Sequence, residues 1–235
     1  MKTLLNLAFI LGLAYIVYSF TGVDNKDEQI TKDYGVSYFN QIELRGPFNV
    51  ELVQSDEQNL EIRASEKVHD DLEVNVKNNR LIIDLDDKIF SKSKSIKVYI
   101  TVTELEKIII TGAVNLEAEN VIKTEDLKIE FEGAGQVNID LEADRFIAEI
   151  EGVGSFWLQG RADYHKVDFA GVGNYNAKNL ISKNTIVESG GVGNVEVYAS
   201  EKFIGNASGI GSVKYYGNPS EVSVNSSGIG KIHSE

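Results

Sequence analysis

The sequence predicts an all-β protein folded as a parallel β-helix (β-solenoid) with rungs of about 19 residues. The first observation is size: 235 residues, 42% of them hydrophobic, can bury a core without disulfide support. The second is that short segments alternate apolar and polar residues from residue 38 onwards. The third is a glycine tripeptide that recurs at nearly constant spacing. Such short units become stable only when neighbours stack.

The first 35 residues are expected to lie outside the folded domain. Lys2 precedes an apolar run over residues 4–20, which predicts a signal peptide or an N-terminal anchor over residues 1–20. The run is close to the shortest length that crosses a bilayer, so we favour a removed signal peptide. Residues 21–35 are polar and charged, as in a linker. We therefore expect an exported protein that is periplasmic, on the outer membrane surface or secreted.

Composition excludes several classes of partner and cofactor. A net charge of -13, from 36 acidic and 23 basic residues, excludes nucleic acid as a favoured partner. Contact with a membrane is expected only through residues 4–20, if that segment is uncleaved. The chain has no cysteine, which excludes thiolate metal sites, a cysteine nucleophile and a lipidated N-terminal cysteine.

Residues 36–235 are predicted to form a single solenoid domain in two parts. Over residues 36–111, segments such as FNVELV and IKVYITV predict strands of less regular spacing. One short helix is expected over residues 66–72, starting after Ser65 as its N-cap. Residues 112–235 are predicted to form the repeat rungs.

The repeat has the form G-[AVI]-G from its second unit onwards. Each unit predicts a corner, because a sharp corner needs a positive φ or a close backbone approach that glycine accepts. The first glycines are Gly112, Gly133, Gly152, Gly171, Gly191, Gly209 and Gly228, with gaps of 21, 19, 19, 20, 18 and 19 residues. The predicted inward column four residues later is Leu116, Val137, Phe156, Tyr175, Val195, Val213 and Ile232.

These motifs resemble a known bacterial family. The glycine units, the upstream segment FNQIELRGPFNVELVQ and the segment SVKYYGNPS are similar to the putative auto-transporter adhesin, head GIN domain family. The resemblance covers roughly residues 39–232. It implies a right-handed parallel β-helix exported by Bacteroidetes-type bacteria, and it implies no catalytic residues. The family usually has serine in its corners, whereas several corners here have valine or isoleucine.

An outward column of carboxylates is a candidate metal site. The column stands three residues before the first glycines, so stacking in register would repeat like charges about every 4.8 Å. Calcium would offset this repulsion, and it is the one cofactor that the sequence suggests. The alternative is a solvated face that Lys128 and Lys166 neutralise. The candidate ligands are Glu130, Glu149, Asp168 and Glu188.

Three outward aromatic residues are candidate ligand-binding groups. Trp157 follows Gly152 by five residues, and Tyr198 and Tyr216 stand two positions further along in other units. Aromatic rings of this kind stack on glycan rings, although they also pack under loops. His165 falls in an inward column, which favours a hydrogen-bonded core histidine over a metal ligand or a base.

Three functions are compatible with this pattern. The first is an exported, non-catalytic adhesion module that presents the solenoid surface to a glycan or protein at the cell envelope. The second is a polysaccharide lyase or hydrolase that uses paired carboxylates of the acidic column, although arginine is scarce and the surface is acidic. The third is a structural envelope component that forms a homo-oligomer through an open sheet edge. We favour the adhesion module.

Overall fold

The computed structural model describes residues 28–85, 95–227 and 229–235. Strands make up 74% of these residues and helix 3%, arranged as a β-solenoid of about seven turns with rungs of about 19 residues. The prediction of an all-β solenoid is therefore confirmed. The signal peptide or anchor predicted over residues 1–20 lies outside the described residues.

The strands are short up to β9 and include three long ones afterwards. The first elements are β1 (Gln29–Asp33), β2 (Gln41–Arg45), β3 (Pro47–Gln54), β4 (Asn59–Ser65), α1 (Glu66–Asp71), β5 (Leu72–Lys77), β6 (Arg80–Leu85), β7 (Ile96–Val102), β8 (Lys107–Ile110) and β9 (Ala113–Ala118). The remaining strands are β10 (Ile122–Phe131), β11 (Ala134–Ile150), β12 (Val153–Phe169), β13 (Val172–Ser189), β14 (Val192–Tyr198), β15 (Lys202–Ala207), β16 (Ile210–Tyr216), β17 (Glu221–Ser226) and β18 (Lys231–Ser234).

The rungs form two stacks of parallel strands. The lysine face consists of β6, β2, β8, β10, the second halves of β11 to β13, β15 and β17. The amide face consists of β7, β3, β9, the first halves of β11 to β13, β14, β16 and β18. Glycine corners lead from the lysine face to the amide face, and the long strands bend back between them.

The N-terminal end departs from sequential coiling. Strand β2 lies between β6 and β8, and β3 lies between β7 and β9. The rung formed by β6 and β7 is therefore further out than the rung that precedes it in sequence. Three antiparallel pairs, β1 with β4, β4 with β7 and β5 with β6, complete this end.

Two local predictions have different outcomes at this end. The polar segment over residues 21–35 is not a linker throughout, because residues 29–33 form β1 and pair antiparallel with β4. Pairing satisfies the backbone of this polar segment and leaves Ile30 half-buried. The predicted short helix is present as α1, although the N-cap residue Ser65 makes no side-chain capping hydrogen bond.

The interior consists of stacked columns of side chains. The column predicted from the repeat is buried from Leu116 to Val213, and Ile232 in the last rung is half-buried. The rings of Phe131 and Phe156 meet edge to face with centroids 4.9 Å apart. Each fully buried side chain of this size contributes about 1.5–3 kcal/mol, so the columns are the main source of stability.

Two glycines show why the corners exclude side chains. A Cβ at Gly152 would lie 2.0 Å from the carbonyl oxygen of Gly133 in the preceding rung. Gly173 has a φ of +140°, and its Cβ would lie 1.8 Å from the carbonyl oxygen of Gly154. Both predicted reasons for glycine, close approach and positive φ, therefore apply.

Candidate ligand-binding face

Trp157 lies outward on the amide face. Its side chain is 43% exposed, whereas its neighbours Phe156 and Leu158 are buried, because successive side chains of β12 point to opposite sides. In the β-ladder, Trp157 stands opposite Asn138 of β11 and Asn176 of β13. The exposed tryptophan thus has an asparagine as its direct neighbour in the rung on either side.

Trp157, Asn138 and Asn176 belong to one outward column. A second, polar column runs beside it, and its residues stand two positions earlier in each strand. Asn115 Nδ2 donates to Asn49 Oδ1 over 3.1 Å, and Asn194 Nδ2 donates to Asn174 Oδ1 over 3.2 Å. These bonds between rungs fix the amide orientations and align donors and acceptors along the solenoid axis. The column contains Asn49, Asn115, Gln136, Ser155, Asn174, Asn194 and Ser212.

The amides nearest to Trp157 are open to solvent. Gln136 and Asn138 are exposed, and neither side chain has a hydrogen-bond partner among the residues that the structure describes. With Trp157 they line a shallow depression of about 340 Å³. The pairing of β12 with β13 shifts by one residue directly after Trp157, and irregularities of this kind re-aim side chains beside binding sites.

The centre of the amide face is uncharged, and one of its flanks is acidic. Glu117 is the next residue of the column beyond Asn138, and it lines the depression. Glu196, the next residue beyond Asn176, is paired with Lys178, whose Nζ lies 3.8 Å away. The carboxylate of Glu117 disfavours an anionic ligand, but it accepts hydrogen bonds from hydroxyl groups. The arrangement therefore suits a neutral ligand that offers both an apolar ring face and hydroxyls.

The two predicted tyrosines lie apart from Trp157. Tyr198 and Tyr216 stand opposite each other in the pairing of β14 with β16, and both are half-buried. Strand β13 separates β12 from β14, so Tyr198 is two rungs from Trp157, roughly 10 Å along the axis. The structure does not bring the three aromatic residues into one cluster. It has an exposed tryptophan and a separate tyrosine pair.

The acidic column is stacked in the predicted register on the lysine face. Glu130 stands opposite Glu149, Glu149 opposite Asp168, and Asp168 opposite Glu188. The column ends in amides, since Glu188 is opposite Asn206, whose Nδ2 donates to Glu188 Oε1 over 2.9 Å.

Lysine side chains neutralise the first two carboxylates of this column. Lys128 Nζ lies 2.8 Å from Glu130 and 2.9 Å from Glu149, and Lys107 Nζ lies 2.8 Å from Glu130. Burial alone would raise the pKa of Glu130, but the hydrogen bonds from the two lysines outweigh it, and the pKa lies below its ordinary value. These lysines therefore offset much of the repulsion between the stacked carboxylates. In the sequence analysis, bound calcium was expected to offset it.

The calcium interpretation of Glu130, Glu149, Asp168 and Glu188 stays a prediction. Within residues 28–85, 95–227 and 229–235, no three or more histidine, aspartate or glutamate side chains group as a metal site would require. Calorimetry with millimolar calcium decides the question, because binding to paired carboxylates would release heat and a solvated face would not.

Two of the three histidines serve the fold, whereas His233 is exposed in the last strand. His165 is fully buried, and its Nε2 lies 2.7 Å from the hydroxyl of Tyr175, as expected for a core histidine. His69 of α1 is also buried, and its Nε2 donates to the carbonyl oxygen of Ile30 over 3.1 Å while its Nδ1 accepts from Tyr34. Neither imidazole faces the depression beside Trp157.

Sequence reasoning did not single out Gln136 and Asn138 as binding residues. The available signal was the position five residues after the first glycine, which reads Asn138, Trp157 and Asn176 in three consecutive units. Only the register of the strands shows that these residues are direct neighbours across the rungs.

The fold and its exposed polar face define a parallel β-solenoid protein. The family profile for the putative auto-transporter adhesin, head GIN domain, matches residues 38–219. The chain belongs to this family, as the sequence resemblance predicted. The family name indicates an adhesion-like module of the cell surface or envelope.

Solved structures of related proteins share this fold. A putative adhesin from Bacteroides fragilis is 32% identical with a TM-score of 0.84, and the match covers 88% of this chain and 97% of that chain. A putative lipid binding protein from Parabacteroides distasonis is 21% identical with a TM-score of 0.69, over 88% and 97% of the two chains. A putative adhesin from Parabacteroides merdae is 18% identical with a TM-score of 0.61, over 88% and 96%. No curated protein matches the sequence.

One further observation concerns the membrane. Of the segments that the structure describes, none is a helix of sufficient length and apolar character to cross a bilayer.

Proposed function

We propose that this protein is an exported, non-catalytic adhesion module that binds a neutral glycan through the amide face around Trp157. The observation that carries the proposal is the exposed indole of Trp157 between Asn138 and Asn176. The apolar run over residues 4–20 and the family membership support export to the periplasm, the outer membrane surface or the medium.

The chemistry of the face matches that of a sugar ring. The C–H face of a pyranose is apolar and packs on the flat indole of Trp157, while the ring hydroxyls both donate and accept hydrogen bonds. The free amides of Gln136 and Asn138 offer two donors and one acceptor each, which suits a pair of neighbouring hydroxyls. A neutral sugar is favoured because the carboxylate of Glu117 lines the depression.

Affinity for one sugar unit is expected to be weak. Ring packing contributes about 1 kcal/mol and each hydrogen bond about 0.5–1.5 kcal/mol, and the shallow depression leaves much of the ligand in water. A single site therefore binds in roughly the millimolar range, and repeated sugars on a surface raise the effective affinity. Tyr198 and Tyr216, two and three rungs further along, favour an extended oligosaccharide that follows the solenoid axis.

A glycan array probed with residues 21–235 tests the proposal. We expect retention of neutral oligosaccharides, a loss of at least tenfold in W157A, and no loss in the matched variant Y38A. Tyr38 is also an exposed aromatic residue, 45% accessible, but it donates a hydrogen bond to Glu104 away from the amide face. Equal binding by W157A and the unsubstituted protein would contradict the site. Reproducible release of sugar products in a parallel degradation assay would contradict a non-catalytic role and favour the lyase or hydrolase.

A further inference from the structure

At the C-terminal end of the solenoid, two residues are exposed although the residues at the same positions in all the other rungs are interior. Val222 and Val224 of β17 continue the inward columns of Phe203 and Gly205 but are 45% and 53% exposed. All six residues of β17 are exposed. Strand β17 pairs with β15 along one edge, and no strand within the described part of the chain pairs with its other edge. This edge therefore leaves both backbone groups and apolar side chains open to water.

The two ends of the solenoid differ in how their edges are protected. At the N-terminal end, the outer strands are β1, which carries Lys32 and Asp33, and β5, which carries Glu73 and Lys77. Charged residues on outer strands oppose pairing with another chain. At the C-terminal end, β17 carries a single charged residue, Glu221, and the outer strand of the other face, β18, carries Lys231. A contact between the β17 edges of two copies is thus favoured over a contact of β17 with an N-terminal edge.

We propose that the free edge of β17 binds the β17 edge of a second copy of this chain in a two-fold symmetric, antiparallel pair. Residues directly opposite in an antiparallel pair point to the same side, so inward residues must face inward residues. A two-fold axis at Ser223 places Val222 of each copy opposite Val224 of the other. The interiors of both solenoids then become continuous, and the exposed valines are buried.

The same register avoids repulsion between carboxylates. Glu221 is already paired with Lys202 of its own chain, and the register places it opposite Asn225 of the partner subunit, whose amide is a further hydrogen-bond donor. A register centred on Val224 would leave Val222 opposite a serine, and one shifted by a single residue would turn the valines outward. An isologous contact of this kind closes on itself, which predicts a dimer and not a fibre.

The test is disulfide crosslinking in the full chain, which contains no native cysteine. Ser223 lies on the proposed axis, where the Cα atoms of an antiparallel pair are about 4.5–5.5 Å apart, a distance that a disulfide spans. We expect S223C to form a crosslinked dimer under mild oxidation at least ten times faster than S55C, an exposed serine between β3 and β4. Equal rates for the two variants would overturn the proposal.

A second pair of variants tests whether crosslinking depends on the β17 edge itself or responds to a new charge anywhere on the surface. V224K, added to S223C, is expected to lower the crosslinking rate at least tenfold, because two lysines would enter the paired interior. V172K, on a corner that is similarly exposed at 47%, is expected to leave the rate unchanged. Circular dichroism checks that all variants are folded. An equal effect of V172K, or crosslinked S223C species larger than a dimer, would contradict the two-fold edge.

Discussion

His165 and Tyr175 are hydrogen-bonded across the interior of the solenoid, with Nε2 and the phenolic oxygen 2.7 Å apart and both side chains fully buried. The imidazole also stacks between the rings of Phe146 and Tyr175, with centroids 5.5 and 5.8 Å away. Its Nδ1 has no partner among the described residues. This buried polar pair lies in a mostly apolar interior, and it has consequences for stability.

The first prediction concerns acid. Burial lowers the pKa of His165 from 6.5 to about 3, so the folded protein keeps this imidazole neutral while the unfolded chain protonates it below pH 6.5. Stability is therefore undiminished above pH 6.5 and is lost as the pH falls towards 3, by about 1.4 kcal/mol per pH unit. Between pH 6.5 and pH 5 this amounts to about 2 kcal/mol.

The double variant H165F/Y175F isolates this contribution. Carboxylates and the other histidines titrate alike in both proteins, so the difference in unfolding free energy between pH 6.5 and pH 5 reports His165 alone. Urea denaturation at the two pH values measures it. If the variant lost as much stability as the unsubstituted protein, the buried neutral histidine would be refuted.

The second prediction concerns the same pair at pH 8. H165F leaves the buried hydroxyl of Tyr175 without its partner and costs about 1–3 kcal/mol. In H165F/Y175F no polar group is left unpaired, so the double variant should recover most of this loss. Chemical denaturation of the single and double variants gives the coupling, and strictly additive effects would show that the pair does not interact.

The third prediction concerns the corners. G173A would force an alanine into φ +140° with its Cβ 1.8 Å from a carbonyl oxygen, so the neighbouring rungs must separate. We expect a loss of about 3 kcal/mol or failure to fold. G190A is the matched control, because the nearest atom to its Cβ is Ser208 Oγ at 3.6 Å, and its effect should stay within about 0.5 kcal/mol. Thermal melting compares them, and equal melting temperatures would contradict the close approach.

The fourth prediction concerns the lysine face. K128M removes the charge that bridges Glu130 and Glu149, so the pKa of Glu130 should rise and stability at pH 7 should fall by up to about 1 kcal/mol. Because the pKa of Glu130 is depressed in the folded state, this difference should vanish as the pH falls below the pKa of the folded carboxyl. K123M is the control, since Lys123 and Glu142 form a single exposed pair. If K123M lowered the unfolding free energy more than K128M, the stabilising bridge of Lys128 between Glu130 and Glu149 would be excluded.

The rungs could be predicted from the sequence because two periodic patterns gave complementary information. Alternation along each strand fixed which side chains face inward, and the spacing of the glycines fixed the register, so Val137, Phe156 and Tyr175 were correctly placed in one column. The order of the first rungs could not be predicted in this way. Leu44 pairs with both Ile83 and Ile110, and local alternation does not reveal which apolar strands become neighbours.

The candidate site was predictable only in part. The offset from Gly152 correctly placed Trp157 outward, but its amide neighbours depend on pairing between rungs. The spacing of the glycines did not show that the pairing with β13 shifts directly after Trp157. Had the shift come before Trp157, a different residue of β13 would stand opposite it.

Fluorescence of Trp157 tests the proposed function most directly, because it is the one tryptophan in the chain and every change in tryptophan emission reports this site. We predict that titration with neutral oligosaccharides taken from the glycan array shifts its emission to shorter wavelength in a saturable manner, with N138A and Q136A weakening the titration several-fold. Glycans that bind the protein while the emission of Trp157 stays unchanged would contradict the account.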